Sequence, residues 1–271
     1  MPKLRRLLVG IACVYLLSLG VLFMMQRSLL FPAHGVYMTP VEAGAPVIMR
    51  EIDIPTDDGL TLKAWVTPAT SRRHTILLFH GNGDTMASFL GVAEPFMAAG
   101  YGVMLAEYRG YFGMPGSPSE AWLYADARAY LHTLAALGVA PQQTVLMGHS
   151  LGTGVVTRMA QEFSVAGLIL SAPYTSIMDI AAEKYPIFPV HQLMRDRLEN
   201  IEGVKNIHAP LLILHGDQDQ LIPVSYGETV FAAALEPKTL KILQGAGHNN
   251  LLAFGFADAA GTPIPLAGGT T

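Results

Sequence analysis

Gly148-His149-Ser150-Leu151-Gly152 places a serine between two glycines, directly after the apolar run Thr144-Val145-Leu146-Met147 and directly before an apolar-periodic stretch from Leu151 to Glu162. A strand, a sharp turn and a helix in that order lift a serine Oγ above a sheet edge. Glycines are required on both sides because a Cβ at either position would collide with the adjacent strand or helix. Ser150 is therefore the candidate nucleophile. A serine that merely capped the helix would explain neither glycine.

A serine hydroxyl is a weak nucleophile until an imidazole takes its proton, and that imidazole must itself be held by a carboxylate. Behind an elbow of this kind the chain order is serine, then acid, then histidine. Of the nine histidines, only His248 lies beyond every plausible acid, in the glycine-rich loop Gly245-Ala246-Gly247-His248-Asn249-Asn250. The acid is sought in His215-Gly216-Asp217-Gln218-Asp219-Gln220-Leu221-Ile222-Pro223. Asp219 is the preferred residue. Asp217 is the alternative, but it directly follows Gly216 and suits a turn-closing role that accepts local amides.

Acyl transfer places negative charge on a carbonyl oxygen, which preorganised backbone N–H groups stabilise. The amide of Leu151, at the start of a helix, is one expected donor. The second is expected from the loop His80-Gly81-Asn82-Gly83-Asp84, at Asn82, with Gly83 as the alternative. Gly81 and Gly83 do not make a dinucleotide-binding loop, because Met86 stands where the third glycine would be, and no P-loop lysine follows. His80 reads as a structural histidine beneath this loop.

Elements must position these groups. Apolar runs suggest strands at 50–54, 62–66, 75–79, 103–107, 144–147, 168–171, 211–215 and 240–243, the first two joined at Asp58-Gly59. Helices are expected at 85–99, 119–137, 151–162 and 225–235; Gly100 and Gly138 are the stops for the first two. This alternation predicts an α/β fold: one mostly parallel eight-stranded sheet with helices on both faces.

The chain has 271 residues, of which 51% are hydrophobic and 14% charged, and this composition excludes disorder. A net charge of −4 without a long basic run removes the footprint of a nucleic-acid binder. The single cysteine, Cys13, rules out an intramolecular disulfide, and the scattered histidines offer no metal-ligand spacing. No metal or cofactor is expected.

Lys3, Arg5 and Arg6 precede an uncharged run from Leu7 to Met25, long enough as a helix at ~1.5 Å per residue to span a bilayer core. Residues 1–28 are expected to be one transmembrane anchor; a cleaved signal peptide is the rival, although no small-x-small cleavage site follows. With only Arg27 close behind the span, the N-terminus is expected in the cytoplasm and the remainder on the opposite side, the periplasm in a bacterium. Residues 29–49, with Pro32, Gly35, Pro40 and Pro46, are expected to form a linker. The catalytic domain is expected at 50–254, with a small helical cap at about 174–208, and a flexible tail at 255–271.

With Ser150, Asp219, His248 and the His80-Gly81 loop in this order, the sequence resembles the alpha/beta-hydrolase superfamily over residues 50 to 250. Glu107-Tyr108-Arg109-Gly110-Tyr111, Ser171-Ala172-Pro173-Tyr174-Thr175-Ser176 and Ile222-Pro223 resemble single-pass, short-lidded serine hydrolases. The resemblance implies acyl hydrolysis, by an esterase, a thioesterase or a peptidase. The short cap and the anchor favour an ester or thioester of a lipid or acylated protein. A catalytically silent binding module and an acyltransferase on the same fold are the other readings. Members of the superfamily usually close with a helix after the histidine, which the segment beyond Leu251 does not promise.

Overall fold

The computed structural model describes residues 2–32, 35–70 and 74–255. Helix α1 spans Pro2–Leu30. Eight strands follow: β1 Arg50–Pro55, β2 Thr61–Thr67, β3 Thr75–Phe79, β4 Gly102–Ala106, β5 Thr144–His149, β6 Gly167–Ser171, β7 Leu211–Gly216 and β8 Lys238–Leu243. Helices α2 Leu90–Ala98, α3 Glu120–Ala136, α4 Leu151–Glu162, α5 Ile177–Lys184, α6 Val190–Leu193 and α7 Val224–Ala233 lie between them.

The sheet order is β1-β2-β4-β3-β5-β6-β7-β8. β2 is antiparallel to both β1 and β4, and every other pairing is parallel. The parallel strands alternate their side chains between two cores, as a period of two dictates. Leu77 and Phe79 of β3, Leu146 of β5 and Ile213 of β7 enter one core with α3, α4 and α7. Ile76, Leu78, Met147 and Leu214 enter the other, against α2 and Leu251. Both faces of the sheet are covered, which accounts for strands that read as unbroken apolar runs.

Local chemistry sets the boundaries. The Ser119 hydroxyl accepts the Trp122 amide at the start of α3, and Gly138, at φ 89°, ends it. The helix expected at 85–99 is divided: a 3₁₀ turn at Ala87–Phe89 precedes α2, because Thr85 and Ser88 exchange side-chain bonds with each other's amides and hold a tight turn there.

The segment expected to be a linker is packed onto the domain: Phe31 and Met49 are buried, and the Tyr37 hydroxyl bonds Glu51 and accepts from the Trp65 indole. The helix expected to stop at residue 28 continues to Leu30 and docks on the segment from α5 to Asp196. The expected tail falls almost wholly on 256–271, outside the described residues; before it, a 3₁₀ turn at Leu251–Phe254 buries Leu251.

Candidate active site

Ser150 sits between β5 and α4 with φ 48° and ψ −115°, a conformation that a residue bearing a Cβ adopts only under strain. Both flanking glycines are accounted for by close backbone. A Cβ on Gly148 would lie 2.4 Å from the Gly152 carbonyl oxygen, and one on Gly152 would lie 2.3 Å from that of Phe79. The Ser150 amide donates to the Ser171 carbonyl at 2.9 Å, tying the turn to β6. The Leu151 amide is the first of α4 and has no intrahelical acceptor.

The loop after β7 presents Asp219. Its Oδ1 accepts the amides of Leu221 and Ile222 at 2.9 and 2.8 Å, and its Oδ2 lies 2.7 Å from His248 Nδ1. Burial alone would raise the Asp219 pKa. The contacts with His215 and His248 and the Ile222 amide outweigh burial and hold the carboxyl well below the usual range, so it stays ionised. An ionised Asp219 fixes the proton on Nδ1 of His248 and leaves Nε2 as the basic nitrogen. Asp217 does a different job: its Oδ1 accepts the Gly245 amide at 2.7 Å and braces the loop that carries His248.

His80 is fully buried beneath the loop after β3, with Nε2 2.7 Å from Glu107 Oε1 and Nδ1 2.9 Å from the Gly81 carbonyl oxygen. Both ring nitrogens face acceptors. Burial would lower the pKa of this imidazole, but Glu107 and the carbonyl overcome that effect and raise it. The Asn82 side chain is occupied: Nδ2 donates to the Leu30 carbonyl at 2.6 Å and Oδ1 accepts from the Tyr111 hydroxyl at 2.6 Å. Only its main chain is left to meet a substrate.

His149 escaped the sequence reading as anything more than the second residue of the elbow. Its Nδ1 lies 3.0 Å from Ser171 Oγ, and its ring centroid is 5.1 Å from that of His248. Burial, and then the proximity of His248, push its pKa down to about 3, so it stays uncharged and does not oppose a positive charge on His248. Among the described residues, no group of three or more His, Cys, Asp or Glu side chains could hold a metal ion.

Ser150, Leu151 and Asn82 open into a cavity of about 340 Å³. Its other walls are α5 and α6, with Leu221 and Ile222 beside Asp219, and the C-terminal half of α1. Among the described residues, Lys184 is the only charged side chain that lines it. The contribution of α1 was missed because the span reads as uniformly apolar. One signal was present: Tyr15, Leu19, Leu22, Gln26 and Leu30 recur at helical spacing, so a tyrosine and a glutamine share one face with leucines.

A family model described as "Serine aminopeptidase, S33" matches residues 70–202. An uncharacterised protein of Mycobacterium tuberculosis is 34% identical over 92% of this chain and 90% of its own length. The chain belongs to the alpha/beta-hydrolase superfamily. The alpha/beta hydrolase domain-containing protein 17B of Homo sapiens is 29% identical to this hydrolase, over 70% of this chain and 66% of the human protein. A Pyrococcus furiosus esterase shares the fold with it, at a TM-score of 0.68 and 17% identity, over 85% of this chain and 94% of the esterase. The family match covers Ser150 and ends before Asp219 and His248.

Proposed function

We propose that this hydrolase cleaves a carboxylic ester or thioester through an acyl-enzyme on Ser150, with His248 as general base and Asp219 as the acid that orients it. The observation that carries the reading is Ser150 itself, held at a strained positive φ where the elbow meets an apolar cavity. As Oγ bonds to the carbonyl carbon, its proton passes to His248 Nε2. The amides of Leu151 and Asn82 receive the oxyanion. Collapse breaks the bond to the leaving alcohol or thiol, which takes the proton from His248, and a water molecule repeats the sequence to release the acid.

The cavity favours an ester over a peptide. A substrate with a free α-ammonium group calls for a carboxylate partner in a desolvated site, and among the described residues no Asp or Glu lines this cavity. Burying an acyl chain, by contrast, gains about 0.8 kcal/mol per methylene. In the same reading α1 anchors the enzyme to a membrane, with the N-terminus cytoplasmic and the catalytic domain on the opposite side. Its hydropathy of 2.6 and the absence of any buried residue in the span support that anchor.

The test is turnover of p-nitrophenyl esters by the full chain and by Ser150→Ala, together with labelling by a fluorophosphonate. Labelling and turnover are expected in the former and neither in Ser150→Ala; equal rates in both would remove Ser150 from the mechanism.

A further inference from the structure

We infer that the apolar N-terminal helix is a wall of the acyl-binding cavity, so that the side chains of Leu19, Leu22 and Phe23 set the length of acyl chain the enzyme accepts, and that the chain is supplied from within the bilayer. The inference rests on the ester-cleaving reading above and adds to it the origin of the substrate and the residues that select it.

Three observations carry it. The cavity that begins at Ser150 has one long side made by α1, from Leu30 beside Asn82 up to Leu19. Eleven residues of helix separate those two, about 16 Å at 1.5 Å per residue. The facing side is made by Ile177, Ile180 and Ala181 of α5, then Phe188 and Leu193. A slot of that length, with apolar side chains on both sides and a nucleophile at one end, has the form of a single extended hydrocarbon chain.

The helix is also latched in place by polar contacts that non-specific apolar contact would not provide. The Tyr15 hydroxyl donates to the Ile187 carbonyl at 2.9 Å, and its ring stacks on Phe188 at 5.8 Å. Gln26 Oε1 accepts the Arg195 amide at 2.8 Å. Arg27 Nε donates to Asp196 Oδ2 at 2.7 Å, and Asp196 is buried. The contacts recur along half the helix and hold it against the cap.

The third observation is depth. Tyr15 lies fifteen residues from Leu30, about 22 Å along the axis, and inside the run that spans the hydrocarbon core. The cap residues that touch it are therefore at bilayer depth. Ile187 is 71% exposed and Tyr185 45% exposed, an apolar and aromatic surface of the kind that meets acyl chains and headgroups. The slot between α1 and the cap then opens sideways to acyl chains, and an ester can enter without its chain crossing water.

The experiment uses the full chain reconstituted in bilayer nanodiscs, wild type against Leu22→Trp and Leu22→Ala. The readout is the ratio of kcat/KM for p-nitrophenyl palmitate to that for p-nitrophenyl butyrate, with labelling by a short-chain fluorophosphonate as a separate report on the nucleophile. Trp is expected to lower the ratio about tenfold or more, since misfit of even one methylene in an apolar pocket is worth at least that factor. Ala is expected to move the ratio the other way or to shift the optimum to longer chains. A ratio unchanged in both variants, in proteins that still label, would overturn the inference. Failure of the wild type to label would overturn the serine-hydrolase reading beneath it.

Discussion

Arg27, near the end of the apolar helix, grips the buried carboxylate of Asp196 with two nitrogens, Nε at 2.7 Å and Nη2 at 3.2 Å. Asp196 also accepts the Glu120 amide at 2.9 Å, so one carboxylate joins α1, the cap and the start of α3. Removing Arg27 leaves that carboxylate buried with an amide as its remaining partner. We expect Arg27→Ala to lower stability by about 1–3 kcal/mol, the lower end reflecting the half-exposed guanidinium. Adding Asp196→Asn should recover part of the loss. Thermal unfolding in a fixed detergent checks both, and a double variant less stable than the sum of the singles would contradict the account.

Asp219 and Asp217 stand two residues apart and do separate work. Asp219→Asn removes the ionised partner of His248 and should lower kcat by about three to four orders of magnitude with little change in fold. Asp217→Ala removes the brace on the Gly245 amide and should cost about 1 kcal/mol of stability, with kcat within a few-fold of wild type. Steady-state kinetics and melting of the two variants side by side would show an exchanged pattern if the roles were reversed.

The strain at Ser150 is measurable without turnover. Ser150→Ala keeps a Cβ at φ 48°, whereas Ser150→Gly does not. The glycine variant is expected to be more stable than the alanine variant by about 1 kcal/mol, the relief of strain being partly offset by the greater freedom of glycine in the unfolded chain. Chemical denaturation of the two inactive proteins is the check, and an alanine variant of equal or higher stability would remove the case for strain.

The buried pair His80 and Glu107 gives a pH dependence with a defined sign. The folded pKa of His80 is raised above its ordinary value of 6.5. Its contribution to stability is therefore complete below that value and is lost as pH rises through the folded pKa. Melting temperature should decline across the alkaline side of neutrality in the wild type. In Glu107→Gln the decline should be flatter and the protein less stable at mildly acidic pH; parallel curves for the two proteins would contradict the assignment.

Much of this molecule can be read from its sequence because the deciding interactions are local or periodic. All eight strands lie within two residues of where the sequence places them; the central runs β3 to β7 are buried on both faces and end where the burial ends, while the half-exposed edge strands β1 and β8 are bounded by turn residues and Pro. Chain order singled out Ser150, Asp219 and His248 as candidates, and the structure brings the last two to 2.7 Å of each other. What escaped depends on contacts between distant segments. The packing of Phe31, Tyr37 and Met49 ties a proline-rich segment to the two cores of the domain, and no local pattern announces it. The docking of α1 is of the same kind: the cap partners of Gln26 and Arg27 lie 167 to 169 residues away, so an apolar helix shows its length in the sequence and not its neighbour.

A cavity shaped by an apolar helix and a greasy cap does not distinguish a fatty ester from any other molecule with a hydrocarbon tail. The surfactant used to extract the protein is such a molecule, presented at high concentration at the mouth of the slot. A detergent chosen for this protein is therefore also a competitor for the slot, and an inert preparation calls for a test of occupancy before Ser150 is judged.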